Sequence, residues 1–575
     1  MKKSLTAVAC AFTVMLGLAG FANTLTVTSL ADEFPAATPG TFRYELEHSS
    51  AGDTIVFADS IKGGTINMVG VSTADTSFVI AHALTIEGNG VTINGGWDGV
   101  VASATGTRIF LTAAGQGKTT IKNLNLVNGH GANWYQTTEK FFLGGAVNAG
   151  SPIRLENCQL VNNCTMDRNA GYSYPVIRGG GAICTGSDLE IVSCYFGTNC
   201  VPNGSSSYGG AICQSGGSLF VEDSVFDHDY TLAFGGGAAY LGSGVEGAVF
   251  RNCSFLENTI AGNQHGGAIR CDMSSGSLKL FGCVFRGCCG SSGMVSRGGA
   301  IWCSDSSHAA LTAVGCEFSD CNAQFGAAVY YQTDKPSLFV NCTFSGNAAQ
   351  TWAGAIETFV SLNFVNCTVV GEYCAESDGG GLFASAQLNM LNSVFAYNYG
   401  TSSLKSSDGS QNGNTKLCSL YKGASTAPFG ETYTLATSMD DIGSATKLFA
   451  GYEMVSDMRG YGPNRVTLPH AVVMPRLGDD DYSTRVVEID PDGVLASDGY
   501  PVRVNDDYSY VEYSDDGGNT WKQFFKRDGA DTTNLTRITA DQRGVPYKDG
   551  LTPVGAATVA ASPVDKVLPQ GVIVY

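Results

Sequence analysis

Between residues 54 and 400, apolar side chains fall on alternate positions in runs of four to six, rich in Val, Ile, Leu and Phe, with Gly and Asn clusters between the runs. Alternation of period two predicts short strands, and the clusters predict turns. No stretch in this range sustains a helical period. One phrase recurs nine times: LGGAV at Leu143, GGGAI at Gly179, YGGAI at Tyr208, GGGAA at Gly235, HGGAI at His265, RGGAI at Arg297, FGAAV at Phe325, WAGAI at Trp352 and DGGGL at Asp378. Its successive copies lie 26 to 36 residues apart. Such a period is one supersecondary unit repeated, so the chain grows by stacking. Short strands under a chain-wise repeat do not form hairpins in register through nine units. They wind as coils of a parallel β-helix, each adding about 4.8 Å of height. The expected fold is therefore an all-β parallel β-helix, a solenoid with capped ends.

Stacking also predicts columns of equivalent residues. A second phrase in each repeat places Cys158, Cys194, Cys253, Cys283, Cys316, Cys342 and Cys367 at one level, with Ser224 and Ser393 in the gaps. Small polarizable side chains pack well in such a buried column. A second thiol column is expected through Cys184, Cys213, Cys271 and Cys303. A third column holds Asn163, Asn199, Asn258, Asn347 and Asn398, with Asp229, Cys288, Cys321 and Glu372 interposed. A stacked Asn satisfies turn backbone that no ladder reaches.

The ends depart from the repeat. Residues 23–142 carry a cap and the first coils, 143–400 the GGAI repeats, 401–423 a Ser/Gly/Asn-rich linker or loop, and 424–575 a small β-rich capping region. Within 40–57, Phe42, Leu46 and His48 mark one side of a short helix with Thr41 as N-cap, placed to cover the open edge of the first coil. Tyr510 to Phe525 reads as a hairpin with an Asp/Gly turn. The C-terminal region is too short and polar for an autotransporter barrel, so it caps the far end or docks along the rod.

Composition narrows the partners. With 43% apolar and 15% charged residues the chain is not disordered, and a net charge of −19 argues against nucleic acid. Residues 1–22 read as a secretory signal: Lys2 and Lys3, an apolar run from Leu5 to Leu18, and Gly20 and Ala22 before a cleavage site at Asn23. No later run predicts a transmembrane helix. The expected location is secreted, or on a bacterial cell surface associated with the outer membrane. Without Cys10, 18 cysteines remain, and buried thiol stacking, inter-coil disulfides and a metal site all stay open, although no C-x-x-C pair occurs.

The GGAI phrase paired with FxxN ends (Phe255 to Asn258, Phe344 to Asn347, Phe395 to Asn398) resembles the repeats of polymorphic outer-membrane proteins of chlamydia type. TVTSLAD from Thr26, GTFRYEL from Gly40 and AGDTIVF from Ala51 resemble the start of exported proteins of the choice-of-anchor Q group. TADQRGVP (Thr539 to Pro546) and VGAATVAA from Val554 resemble that group's closing phrase, without its acidic and aromatic residues. These likenesses cover most of residues 24–400 and a patch near 540–560, within the pectin-lyase-like superfamily. They imply a right-handed helix and, for the first group, adhesion at a surface. Ser514, Asp516, Gly518, Thr520 and Trp521 match the Asp-box of sialidase-like propellers, where it is a turn motif.

Two classes of function follow. A polysaccharide lyase or glycoside hydrolase would need carboxylates beside the scissile bond, and calcium is possible for a lyase. The catalytic candidates are Asp227 and Asp229, flanking His228. Asp272 and Asp305 follow neighbouring GGAI phrases, and the competing reading makes Asp229 a member of the Asn column. The other class is adhesin-like binding of a polysaccharide or a surface protein, with no cofactor. Its candidates are Trp134, Tyr135, Tyr172, Tyr174, Tyr208, Tyr330, Tyr331 and Trp352, aromatics near coil turns that can stack on sugar rings. A ligand-free envelope spacer is the third expectation.

Overall fold

The alternating runs are strands, and each lies on its equivalent one repeat away. A computed structural model describes residues 22–398 apart from 71–75, 101–104, 132–143, 166–177, 203–206, 233, 263, 291–295, 371, 375–380 and 397. It also describes short strands between 404 and 466, then 499–542, 546, 547 and 552. After the glycines, Ile183–Thr185 pairs in parallel with Val147–Ala149 on one side and with Ile212 to Gln214 on the other. Leu189–Val192 does the same with Ile153–Glu156 and Leu219 to Glu222. These two strands of every coil build a 24-stranded sheet, and the third, such as Tyr195–Gly197, builds a 14-stranded one. The result is a parallel β-solenoid of about 11 turns. Among the described residues no helix is long and apolar enough to cross a membrane.

Alternation decides what fills the rod. Phe196, Phe226, Phe255, Phe285, Phe318 and Phe344 point inward and are fully buried. Their rings stack with centroids 4.6 to 5.0 Å apart and planes within 10°. That spacing is the strand spacing itself, so the backbone sets the ring stack. Each buried Phe contributes about 2 to 3 kcal/mol of apolar burial.

The repeated glycines have two separate causes. The first of each pair has positive φ, +69° at Gly209, +73° at Gly236 and +72° at Gly266. The second has no room for a side chain: a Cβ on Gly267 would lie 2.0 Å from the Gly299 carbonyl oxygen of the next coil.

The first cysteine column exists as expected. Cys158 N donates to Cys194 Sγ (3.4 Å), Cys194 N to Ser224 Oγ (3.0 Å) and Cys367 N to Ser393 Oγ (3.2 Å), so Ser substitutes for Cys as acceptor. The 17 described cysteines are free thiols, all buried except the partly exposed Cys289. The second thiol column divides. Cys184 and Cys213 are in register with Tyr240, Arg270, Trp302 and Tyr330. Cys271 and Cys303 are in register with Leu241 and Tyr331, one residue further along. GGAIC and GGAIRC differ by one position, and one position on a strand is the opposite face.

The asparagine column is a chain of hydrogen bonds. Asn163 N donates to Asn199 Oδ1 (3.1 Å), Asn199 N to Asp229 Oδ1 (2.8 Å) and Asp229 N to Asn258 Oδ1 (3.0 Å). In return, Asn199 Nδ2 donates to Leu160 O (2.8 Å) and Asn258 Nδ2 to Phe226 O (2.9 Å), both in the preceding coil.

At the first coil, Thr24–Val27 pairs with Thr54–Phe57, and a helix spans Phe42–Glu47. Thr41 Oγ1 caps it, accepting from Tyr44 N. Phe42 packs on Phe57 and Phe78, closing the apolar interior. His48 is exposed at the C-cap, not on the apolar side; Arg43 is the third buried helix residue. Its charge is met by Asp32 (2.8 Å) and the carbonyls of Thr76 and Ser77.

Beyond residue 400, Leu404–Ser406 and Thr415–Leu417 continue the large sheet in parallel, and Leu420–Tyr421 the smaller one. Strand pairing thus enters the 401–423 stretch, whose Ser, Gly and Asn residues resemble coil turns in composition. Val502–Val504, Tyr510–Tyr513, Lys522–Lys526 and Thr536–Arg537 form an antiparallel sheet. It lies along the rod: Val502, Val504, Val511 and Phe525 pack on outward-facing Leu338, Val340, Val365 and Leu391. Arg527 fixes it by donating to Leu311 O (2.7 Å) and Thr312 Oγ1 (2.6 Å). The Asp-box is the hairpin turn: hydrogen bonds to Asp516 from Thr520 Oγ1 (2.5 Å), Ser514 Oγ (2.7 Å) and Thr520 N (2.8 Å) hold its carboxyl well below the usual range.

Candidate functional site

In each GGAI strand the residue after Ile faces away from the interior. From coil to coil this outward row reads Tyr240, Arg270, Trp302, Tyr330, Glu357 and Phe383. Outward positions on a rod normally meet water, yet Trp302 is 7% exposed and Glu357 only 1%. Their cover is the chain just before each glycine pair. It carries a second row, Tyr208, Gly235, His265, Arg297, Phe325 and Trp352, held in parallel register from Gly235 to Trp352, with Phe234 one position before Gly235. The glycines are constant from coil to coil, and the two rows occupy the variable positions that flank them; of these the sequence singled out Tyr208, Tyr330 and Trp352.

The two rows interlock through rings and cations. Tyr208 stacks on Tyr240 (4.1 Å between centroids), His265 lies against Trp302 (4.6 Å) and Trp352 stacks on Phe383 (5.2 Å). The Arg270 guanidinium lies over Trp302 (4.5 Å) and Tyr208 (5.0 Å), and that of Arg297 over Tyr330 (5.2 Å) and Phe325 (5.8 Å). Cation–π contacts of this kind contribute about 0.5 to 2 kcal/mol each, more as water is excluded.

The two arginines differ in how their charge is met. Arg270 donates from Nε to Asp272 Oδ2 (2.9 Å) and from a terminal nitrogen to Phe234 O. Arg297 has no carboxylate ion pair among the described residues. Burial pushes the Glu357 carboxyl up to about 8, against the pull of Arg297, so the acid is neutral at pH 7. Burial, with Arg297 and Arg270 nearby, pulls His265 down to about 4, so its ring is neutral too. Tyr330 is pushed up to about 12 by burial and by Glu357. Buried polar atoms in this layer also bond to no protein group: His265 Nδ1, Asp272 Oδ1, Arg297 Nε, Trp302 Nε1 and Glu357 Oε2. They are five of the 15 such atoms in the described chain, so the layer beneath the covering row is unusually rich in enclosed polar groups.

The residues singled out in the sequence scatter. Tyr208 and Trp352 belong to the covering row and Tyr330 to the row beneath. Tyr331, one position on, is turned into the rod, where its hydroxyl donates to Ala309 O (3.0 Å) and accepts from Leu311 N (3.2 Å). Trp134, Tyr135, Tyr172 and Tyr174 lie outside the described residues, as do residues 1–21 of the expected signal. Asp227 is on the third strand, away from this layer. It accepts from Tyr195 Oη (2.9 Å) and meets His228 Nδ1 (2.5 Å), whose Nε2 is 3.3 Å from Glu257. Asp229 is fully buried in the asparagine column, with its carboxyl pushed well above the usual range by burial. The structure therefore sends Asp227 and Asp229 to opposite sides of the wall. Among the described residues no three His, Cys, Asp or Glu side chains are grouped to hold a metal ion.

Residues 197–369 match the family model of the right handed beta helix region. No curated protein matches the chain. Of solved structures, tailspike protein 3 of bacteriophage CBA120 is similar at 12% identity and a TM-score of 0.37, over 65% of this chain and 57% of that one. The chain thus spans little more than half of that protein's length. Fold and handedness, right-handed and parallel, agree with the sequence expectation; neither narrower likeness, to polymorphic outer-membrane proteins or to choice-of-anchor Q proteins, is singled out.

Proposed function

We propose that this right-handed β-helix is an exported, surface-held or secreted rod that binds polysaccharide along its two-row outward face. The observation that carries the reading is the half-exposed covering row, with Tyr208, His265, Arg297, Phe325 and Trp352 on one face of successive coils. Sugar rings present one apolar face and a rim of hydroxyls, which suits aromatic planes interspersed with an imidazole and a guanidinium. A ligand laid along the axis meets an equivalent pair of residues about every 4.8 Å. The acidic surface disfavours nucleic acid and leaves glycans and proteins as partners.

The test is to incubate the purified chain with plant, animal and microbial polysaccharides and score both retention and shortened products. Trp352→Ala and Tyr208→Ala are expected to weaken retention about tenfold each, as lost aromatic anchors do. Unchanged retention in both variants would refute this face as the site.

Glu357 favours a second reading, hydrolysis. A carboxyl kept neutral at pH 7 is what a general acid requires. A glycosidase needs its second carboxylate within about 5 to 9.5 Å. Asp272, in the same layer, is three coils from Glu357, about 14 Å in height alone. Product release abolished by Glu357→Gln would establish the enzymatic reading over binding alone.

A further inference from the structure

The two cations of the layer are not equivalent. Arg270 is neutralised in place by Asp272 and the Phe234 carbonyl. Arg297 is stacked between Phe325 and Tyr330, its Nε buried without a partner and no carboxylate paired to it among the described residues. The nearest buried acid, Glu357, is uncharged at neutral pH and does not balance it. A half-covered guanidinium left so is costly unless something outside the chain supplies the anion. Arg297 belongs to the half-exposed covering row and is within reach of a ligand, whereas the Trp302 indole N–H and Glu357 Oε2 beneath it are enclosed. A planar fork on an aromatic bed is a receptor for an oxyanion.

We propose that Arg297 is the anion anchor of this face, taking the carboxylate or sulfate group of an acidic polysaccharide whose rings lie against the neighbouring aromatic row. The proposal rests on the glycan-binding reading and narrows it to acidic glycans. With a net charge of −19, bulk attraction cannot supply such binding, so the selectivity resides in this one guanidinium.

The experiment compares wild type, Arg297→Gln, Arg297→Lys and Arg270→Gln. Retention is measured on polygalacturonate (carboxylate), chondroitin 6-sulfate (carboxylate and sulfate) and dextran (neutral), and melting shifts with free galacturonate and inorganic sulfate. Arg297→Gln is expected to lose about tenfold or more in retention on acidic polymers and to keep any retention on dextran. Arg297→Lys should recover part of the loss by keeping the charge without the fork, and the galacturonate or sulfate melting shift should vanish only in Arg297→Gln. The polygalacturonate and sulfate arms then show which oxyanion is read. Equal retention of dextran and acidic polymers, unaffected by Arg297→Gln, would overturn the anchor while leaving glycan binding intact. A melting shift lost in Arg297→Gln, with no polymer retained, would uphold the anchor and remove the glycan rod. No shift and no retention would remove both.

Discussion

Replacing Glu357 with Gln should stabilise the protein, and only where the pH exceeds the ordinary range of a carboxyl. In the unfolded chain this group ionises near its usual 4.5, whereas in the fold burial holds it up to about 8. The folded state therefore keeps a proton that the unfolded state has released. Native stability is undiminished below 4.5, falls as the pH rises from 4.5 to about 8, and levels off above. At about 1.4 kcal/mol per pH unit the loss approaches about 3 kcal/mol at pH 7 and about 5 kcal/mol at pH 8 and above. The side chain is 1% exposed, so little of this is screened by solvent. Gln keeps the shape and cannot ionise. Urea unfolding of both proteins from pH 4 to pH 9 should show curves that coincide at the acid end and diverge steadily up to pH 8. A difference that stays constant over the whole range would refute the reasoning. It would mean that Glu357 ionises in the fold as it does in the unfolded chain, which would also weaken the case for an unmet cation there.

Asp229→Asn should stabilise the rod by about 1 kcal/mol or more at pH 7, read as a higher urea midpoint. Asn199 and Asn258 each donate to a carbonyl of the preceding coil, whereas Asp229 Oδ2 bonds to no protein group and burial forces the carboxyl to hold a proton that the unfolded chain releases, a cost that Asn removes. If Asp229 is catalytic, the same variant should instead abolish product release. Among the described cysteines, Cys289 should react first with a thiol reagent in the native protein, the other 16 only after denaturant, as followed by mass spectrometry. Arg527→Ala should cost about 2 to 3 kcal/mol at the seam between the C-terminal sheet and the coil, through two lost hydrogen bonds from a charged group. Limited proteolysis should then cut near residue 499 and leave the coils whole.

What the sequence made legible follows from what repeats. The glycine phrase, the Cys158 and Asn163 columns and the Thr41 cap each reflect a constraint imposed identically on every coil, or a purely local bond, so period and spacing reveal them. Of the proposed binding face, only the aromatics Tyr208, Tyr330 and Trp352 were legible, because its other members occupy positions that vary from coil to coil. Nothing in the period shows that the segments bearing His265 and Arg297 fold over the outward row. Trp302 and Glu357 therefore read as ordinary exposed positions. Parity was the other limit. Tyr330 and Tyr331 are adjacent and look alike as binding aromatics, yet strand geometry puts one outside and one in the core. A one-residue difference in phrase likewise split the second thiol column.

The asparagine column has a direction, and direction bears on how such a rod can be made. Each coil's turn amide is satisfied by a side chain of the coil that follows it, as Asn163 N is by Asn199 and Asn199 N by Asp229. A partly formed solenoid of any length thus has one incomplete layer, at its C-terminal edge, while the helix at Phe42–Glu47 seals the other end. A chain folding from its N-terminus can close one coil at a time, each new turn completing the hydrogen bonds of the last, so that order of synthesis and order of assembly coincide.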